Sequence, residues 1–353
     1  MMKGIITDTY TTDNITLHYY EIKNNLKPLV MIHAQGVCSM SYDNVFKALS
    51  KKYHIFAVDC YGHGYSSHDQ EKYNIQTIGE AIINFIEKIV NRKVYLLGHS
   101  SGGLIAAYIA AYSDLCEKLY LEDPPFFSSQ GERRFKTYNY IDLSSICHLY
   151  NQQSEQKDFV LYYFEHQKAW DFFPQKTRDK IRNKMIGMAK RYREKHPDKD
   201  LKVPFWPKSA LSGYRGMNQY DPYFGEAFYN DSFHAKISHE EILKIIDCET
   251  VIMKAKTSIN DVGILLAAMS EEDVKKAKDL IDHDIAEEEE NLILYYKSII
   301  NSQNENEDNE NQNWQNNAKI SQSSNEEIVE NEKILEKENE LEILKDLNEN
   351  EEE

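Results

Sequence analysis

The sequence predicts an α/β protein with a mostly parallel sheet flanked by helices, a helical insertion and a low-complexity C-terminal tail. Three observations support this prediction. Short apolar runs typical of buried strands alternate with stretches of helical period over residues 1–123. The alternation stops at Pro124-Pro125 and resumes at Thr250. After Asn301 the composition changes abruptly.

The first 123 residues supply six predicted strands. Ile5–Tyr10 and Ile15–Ile22 are β-rich runs separated by Thr-Thr-Asp-Asn, which predicts a hairpin. The further strands are predicted at 28–33, 54–59, 93–97 and 117–121, and the helices between them at 42–49, 75–90 and 103–111. Strands and helices that alternate at such short spacing indicate a parallel sheet covered on both faces.

Residues 124–245 form the predicted helical insertion. They lack strand-length apolar runs but contain helical stretches, such as 176–193, and 23 of the chain's 41 aromatic residues. A strand is predicted again at 250–255, so the insertion lies between two strands of one sheet. The core is therefore predicted to comprise residues 1–123 and 246–301.

The tail, residues 302–353, carries most of the negative charge. Residues 301–353 hold 17 acidic and 4 basic residues, a net charge of −13 out of −17. Eight asparagines fall within 301–317, and an irregular apolar stripe between Glu326 and Leu347 suggests partial helix or coiled coil. The remaining 300 residues carry a net charge of only −4, which disfavours nucleic acid as a partner.

Other classes of protein are disfavoured by what the sequence lacks. It has no uncharged apolar run of about 18 residues and no signal-peptide pattern, so we expect neither membrane association nor secretion. The five cysteines are widely spaced and form no CxxC pair, as expected of reduced thiols in a cytoplasmic protein. No metal-ligand spacing or dinucleotide fingerprint is present, so we expect no metal and no cofactor.

The strongest chemical signal is the motif GHSSG at 98–102, which matches G-x-S-x-G. A predicted strand precedes it and a small-residue helix follows it. Small residues two positions before and after Ser100 allow a tight turn that exposes the serine. The N-terminus of the helix then directs N–H groups at developing negative charge.

Three further segments extend this pattern, and together with the motif they resemble the α/β-hydrolase fold family, specifically serine hydrolases with a helical cap. Residues 31–36 (MIHAQG) are similar to the family's His-Gly segment after the third strand. Residues 59–67 (DCYGHGYSS) are similar to the loop after the fourth strand, and 121–125 (LEDPP) to the sixth strand leading into the cap. The resemblance covers roughly residues 3–300.

The resemblance implies roles for particular residues. Ser100 would be the nucleophile, and the backbone N–H groups of Gln35 and Ser101 would form the oxyanion hole. Family order places the base after the acid, which favours His283 in Asp282-His283-Asp284-Ile285. The predicted helix 271–281 runs almost directly into this histidine, and a strand of about ten residues that the family has there is absent.

The acid has three candidates. Asp261 lies near the commonest family position, after the strand at 250–255, whereas Asp123 and Glu122 lie at the alternative position, the end of the sixth strand. A carboxylate at either place can orient the histidine. We rank Asp123 first, then Asp261, then Glu122.

The remaining candidates concern substrate binding. Phe126, Phe127 and Trp170 are candidates for an apolar pocket over Ser100, and His33 is a further substrate-binding candidate. We expect His33 and His99 to hold loops by hydrogen bonds rather than to act as bases.

We therefore expect a hydrolase that cleaves a small carboxylic ester through an acyl-Ser100 intermediate. Cleavage of C–C or amide bonds, acyl transfer and perhydrolysis are alternatives on the same triad. The absent strand favours a further alternative, an inactive hydrolase-like protein that binds a small ligand. A third interpretation makes the tail a segment that binds a protein partner.

Overall fold

The computed structural model describes residues 4–12, 15–155, 158–204, 211 and 213–281. Within this part of the chain, one sheet contains seven strands, each within two residues of its predicted limits. They are β1 Ile5–Thr12, β2 Ile15–Ile22, β3 Lys27–Ile32, β4 Tyr53–Val58, β5 Val94–His99, β6 Cys116–Glu122 and β7 Glu249–Met253. The predicted α/β class is confirmed.

The strand order across the sheet is β1-β2-β4-β3-β5-β6-β7. β1 pairs antiparallel with β2, and β2 antiparallel with β4; every later pair is parallel. The order reverses between β3 and β5, where Met31 lies opposite Leu97. Loops that leave the carboxyl ends of these two strands diverge to opposite sides, which opens a crevice at this point.

Nine α-helices accompany the strands in the described residues. They are α1 Asp43–Leu49, α2 Ile75–Phe85, α3 Ser101–Tyr112, α4 Ser145–Asn151, α5 Phe159–His166, α6 Gln175–Lys195, α7 Pro222–Tyr229, α8 His239–Lys244 and α9 Glu271–Leu280. The Asn74 side chain caps α2 by accepting the Thr77 N–H at 2.8 Å. One π-helical turn, Ile86–Val90, extends α2 to the predicted limit.

Helix α3 forms the centre of the core. Residues 101–110 of this helix are all buried, and its neighbour α2 buries an inner face that includes Ile78, Ile82 and Phe85. The two helices approach closely at Gly79, where a Cβ would lie 2.2 Å from the Tyr108 ring. Because α3 follows Ser100 directly, this packing fixes the position of the predicted nucleophile.

Between β6 and β7 the described residues contain helices and no strand of the sheet. Among the helices of the described residues, none is both long and apolar enough to cross a membrane. His283 and the tail at 302–353 lie outside the described residues.

Candidate active site

Ser100 occupies a strained turn between β5 and α3. Its backbone has φ 52° and ψ −119°, a conformation that residues with a side chain rarely adopt. The turn is held on both sides: the Ser100 N–H donates to the Glu122 carbonyl, and the Gly103 N–H donates to the Ser100 carbonyl, both at 2.8 Å. Hydrogen bonds to β6 and to the first turn of α3 therefore hold Ser100 in this strained conformation.

The glycines of the motif are required by close backbone contacts. A Cβ on Gly98 would lie 2.2 Å from the Gly102 carbonyl oxygen, and one on Gly102 would lie 2.2 Å from the Ile32 carbonyl oxygen. Neither obstacle is a flexible side chain, so neither could move aside. The spacing of G-x-S-x-G thus follows from the close approach of the start of α3 to the ends of β3 and β5.

The two predicted oxyanion-hole residues lie on opposite sides of the crevice. Ser101 is the first residue of α3, where backbone N–H groups have no acceptor within the helix. Gln35 follows β3, and its side chain donates to the Tyr220 hydroxyl at 2.9 Å and accepts from Asn139 at 3.3 Å. These bonds tie the Gln35 loop to two residues of the insertion.

Ser100 opens into a cavity of about 380 Å³, a volume suited to a small ligand. The strand ends of the core form one side, and the insertion forms the other. The lining residues are Gln35, His99, Ser100, Ser101, Asp123, Pro125, Ser128, Ser129, Thr137, Tyr138, Asn139, Asp142, Leu143, Tyr163, Phe228, Ala255, Lys256, Leu266, Ala267 and Ala268.

Asp123 lines the same cavity as Ser100, directly after β6. Its backbone, with φ 45°, is fixed by an N–H bond to the Met253 carbonyl at 2.7 Å. Its carboxylate accepts the Ala255 N–H at 3.3 Å. Burial raises the pKa of this carboxyl above its usual value, although the backbone N–H groups of Ala255 and Ala268 oppose the shift.

The other two acid candidates lie elsewhere. Asp261 is exposed in a turn that the Asn260 side chain stabilises, and it is absent from the cavity lining. Glu122 also does not line the cavity; its contribution is the backbone carbonyl that holds Ser100. The structure therefore brings Asp123 together with Ser100, but not Asp261 or Glu122.

His33 is engaged in the core and does not line the cavity. Its Nδ1–H donates to the Ala34 carbonyl at 2.8 Å, and its Nε2 accepts the Cys60 N–H at 3.0 Å. His63 makes equivalent bonds to the Tyr61 carbonyl and the Gly36 N–H. Burial lowers the pKa of both imidazoles, so each is a neutral connector between the loops after β3 and β4.

The three aromatic candidates for substrate contact are packed in the interior instead. Phe126 is fully buried, Phe127 packs beneath Lys276, and Trp170 donates its indole N–H to the Phe164 carbonyl at 2.8 Å. None of them lines the cavity. Aromatic residues in the insertion thus stabilise its own packing, since an apolar ring contributes most where it is fully removed from water.

The cavity contains polar residues that sequence reasoning did not single out. Asp142 is buried, and it accepts the Tyr163 hydroxyl and the Lys168 N–H, each at 2.6 Å. Burial raises the pKa of the Asp142 carboxyl. No local sequence motif marks these residues, because the packing of α5 against the segment before α4 brings them together.

The histidines differ in their relation to Ser100. His99 directly precedes Ser100 and lines the cavity, where it interacts electrostatically with Asp123. The predicted base, His283, lies outside the described residues. Among the described residues, the site thus brings together the Ser100 turn, the two residues predicted to form the oxyanion hole and the partly buried Asp123.

Comparison with known proteins agrees with this fold. A sequence model of the α/β hydrolase fold matches residues 27–140. A putative esterase/lipase of Haemophilus influenzae is 34% identical over 113 residues, which are 31% of this chain and 39% of that protein. The pimeloyl-[acyl-carrier protein] methyl ester esterase of Vibrio cholerae is 28% identical over 118 residues, 33% of this chain and 44% of that protein.

Solved structures extend the likeness beyond the first strands. The structure of an E-2-(acetamidomethylene)succinate hydrolase aligns with a TM-score of 0.51 at 16% identity, covering 78% of this chain and 87% of that one. At this identity the likeness concerns the fold. The chain therefore has an α/β-hydrolase fold, and its sequence resembles that family over residues 27–140. It aligns with only about two fifths of the length of the curated relatives named above.

Proposed function

We propose that the protein is a hydrolase that cleaves a small carboxylic ester through an acyl-serine intermediate. Ser100 is the nucleophile in this proposal, Asp123 is the acid of the triad and His283 is the base. The backbone N–H groups of Gln35 and Ser101 stabilise the oxyanion. The cavity of about 380 Å³ limits the substrate to a small molecule.

The reaction proceeds in two halves. His283 takes the Ser100 proton as the hydroxyl attacks the carbonyl carbon, and it then protonates the leaving alcohol. Water, activated by the same histidine, releases the acid from Ser100. Asp123 holds the imidazole in the correct tautomer and stabilises it while it is charged.

The observation that carries this proposal is the strained Ser100 turn opening into a cavity that it shares with Asp123. A backbone held at φ 52° costs free energy, and glycine would adopt it more readily than serine, which favours a functional reason for the hydroxyl. A partly buried carboxylate that no described cation pairs with is likewise costly unless it has a charge to stabilise. Acyl transfer at Ser100 would explain both the strained backbone of Ser100 and the partly buried carboxylate of Asp123.

A fluorophosphonate probe tests the nucleophile. We expect one label per chain, at Ser100, and none on Ser100→Ala. Ser129→Ala is the matched control, since Ser129 lines the same cavity but donates its hydroxyl to the Pro125 carbonyl; it should label like the wild type. Labelling that persists in Ser100→Ala would disprove the assignment, and an unlabelled wild type would favour the ligand-binding alternative.

The base is tested by comparing His283→Ala with His99→Ala. We expect the first to lower kcat by several orders of magnitude and the second to change it little. Wild-type activity should fall as the pH drops through about 6–7, where an imidazole takes up a proton. If His99→Ala is the inactive variant, the base is the histidine beside the nucleophile and the role of His283 is refuted.

A further inference from the structure

Two cysteines that are remote in sequence lie side by side at the end of the sheet opposite to Ser100. The Sγ atoms of Cys116 and Cys248 are 3.5 Å apart and share a hydrogen bond. Cys116 begins β6, and Cys248 immediately precedes β7, the parallel neighbour of β6. Both are free thiols.

The two thiols differ in access and in acidity. Cys116 is 8% exposed, whereas Cys248 is partly exposed. The hydrogen bond with Cys116 lowers the pKa of the Cys248 thiol, and the same contact raises the pKa of Cys116. Cys248 is therefore the more accessible thiol and the one that ionises first. Cys116 lies next to it and is positioned to attack a disulfide formed on Cys248.

We propose that Cys116 and Cys248 are a redox-sensitive pair that forms a reversible intramolecular disulfide when the protein meets a low-molecular-weight disulfide such as oxidised glutathione. A sulfur–sulfur bond needs about 2 Å, so the two side chains must approach by about 1.5 Å. Rotation about their Cα–Cβ bonds can supply such a movement at the start of a strand, where the chain is not yet fixed by the ladder on both sides.

The chemistry is a double thiol–disulfide exchange. The Cys248 thiolate attacks one sulfur of the oxidised glutathione and expels the first glutathione thiolate, which takes up the proton that Cys248 lost. The Cys116 thiolate then attacks the Cys248 sulfur of the mixed disulfide and expels the second glutathione, which takes the proton of Cys116. Two electrons pass from the protein thiols to the oxidant, and one disulfide replaces another.

The consequence concerns the helical insertion. The chain leaves the sheet after β6 and returns at β7, so a bond between residues 116 and 248 encloses the whole insertion in one covalent loop. The pair is separated by 132 positions in sequence. Closing so long a loop removes much conformational freedom from the unfolded chain, so the oxidised protein should unfold at a higher temperature. Ser100 and Asp123 lie at the other ends of the strands and remain open.

The experiment uses the full-length protein incubated with oxidised glutathione and then denatured for thiol titration and peptide mapping. We expect the free thiols to fall from the five of the reduced chain to three. A cross-linked peptide pair containing Cys116 and Cys248 should appear by mass spectrometry. The melting temperature should rise by about 5 °C or more, and dithiothreitol should reverse all three changes.

Two variants complete the test. Cys38→Ser removes a partly exposed free thiol that follows β3, and this variant should still form the disulfide. Cys248→Ser should abolish the cross-linked peptide and the rise in melting temperature. Five thiols retained in the oxidised wild type, a stable glutathione adduct on Cys248, or a disulfide between two chains would each overturn the proposal; none of these results depends on the folding of a variant.

Discussion

Two aspartates stand at equivalent places in the sheet, yet their surroundings differ sharply. Asp59 follows β4 and Asp123 follows β6, each at the carboxyl end of a strand. Each lines a cavity, Asp123 the one that contains Ser100 and Asp59 a separate one beside Tyr65. Asp59 is surrounded by hydrogen-bond donors, whereas Asp123 has only weak ones.

The Asp59 carboxylate accepts four hydrogen bonds, two on each oxygen. Oδ1 accepts the N–H and the hydroxyl of Ser39 at 2.8 and 2.5 Å, and Oδ2 accepts from His18 Nδ1 at 2.8 Å and the Tyr65 N–H at 3.1 Å. Burial raises its pKa, but the bonds from His18 and Ser39 outweigh burial and lower the pKa to about 2. This carboxylate is a structural centre that holds the loop 59–67 against β2.

Asp123 shows the opposite balance. Burial is the larger influence and raises its pKa, although the backbone N–H groups of Ala255 and Ala268 and the charges of His99 and Lys254 oppose it. The comparison teaches that position at a strand end does not decide the role of a carboxylate. A carboxylate with all its acceptor sites filled builds structure, and one with acceptor capacity left is available to a catalytic partner.

The largest effect that separates the two aspartates should appear in catalysis. We expect Asp123→Asn to lower kcat on an activated ester by about 10³–10⁴-fold, because an amide cannot stabilise a charged imidazole. The free energy of unfolding should change by less than about 1 kcal/mol. Asp261→Asn is the control and should retain activity; if it is the inactive variant instead, Asp123 is not the acid.

For Asp59 the effect should appear in stability. We expect Asp59→Asn to reduce the free energy of unfolding by about 2–4 kcal/mol, since the amide nitrogen faces donors. Because the folded-state pKa lies below the unfolded one, the wild type should lose this contribution as the pH falls from about 4 to about 2.

Urea denaturation at several pH values measures both effects of Asp59→Asn. Asp279→Asn, on the exposed surface of α9, should change the free energy of unfolding by no more than about 0.5 kcal/mol. An Asp59→Asn variant as stable as the wild type at neutral pH would show that this carboxylate is not a structural centre.

Two glycines with positive φ differ in whether they contact the Asp59 carboxylate. Gly64 has φ 54°, and a Cβ there would lie 2.1 Å from Asp59 Oδ2; Gly131 has φ 61° with nothing within 4 Å. Gly131→Ala should cost about 1 kcal/mol of unfolding free energy, the penalty of a left-handed alanine. Gly64→Ala should cost about 2–3 kcal/mol more, because it also displaces the carboxylate. Equal losses in chemical denaturation would refute the contact with Asp59.

The smallest effect concerns the segment that follows Asp123. His239 Nδ1 accepts the Phe127 N–H at 2.7 Å, and its Nε2 contacts His234 Nδ1 at 3.2 Å. Burial holds the pKa of His239 well below its usual value. The stability contribution of this neutral imidazole is therefore complete above about pH 6.5, the unfolded value, and is lost as the pH falls below it.

Protonation of His239 should lower the unfolding free energy of the wild type by up to roughly 1–2 kcal/mol between about pH 6.5 and 5. His239→Gln should therefore make the decline of the melting temperature over this range less steep. His166→Gln, which alters an exposed histidine on α5, should leave the decline as steep as in the wild type. A slope unaffected by His239→Gln would show that another group causes the acid sensitivity.

The sequence was most informative where structure is local. The elbow at Ser100 could be predicted because five consecutive residues contain the whole turn, and the backbone contacts of Gly98 and Gly102 allow only glycine. Strands such as β3 and β4 could be predicted because both of their faces are buried, which leaves continuous apolar runs.

Features that depend on distant parts of the chain could not be predicted in the same way. The sequence ranks Asp123 above Asp261 without deciding between them, and only the packing of the strand ends places Asp123 in the cavity. Trp170 was expected to line the pocket, but it packs within the insertion, where its indole N–H donates to the Phe164 carbonyl. The same limit applies to Cys116 and Cys248, since widely separated thiols give no sign in sequence of being neighbours.

The left-handed backbone of Ser100 has a consequence for how the protein can evolve. Glycine would occupy φ 52° without steric cost, so a change of Ser100 to glycine would relieve about 1–3 kcal/mol of strain. The chain is therefore one substitution away from a more stable protein without a hydroxyl at this turn. Selection for stability alone would favour that substitution, so only selection for the hydroxyl itself can maintain serine at this turn.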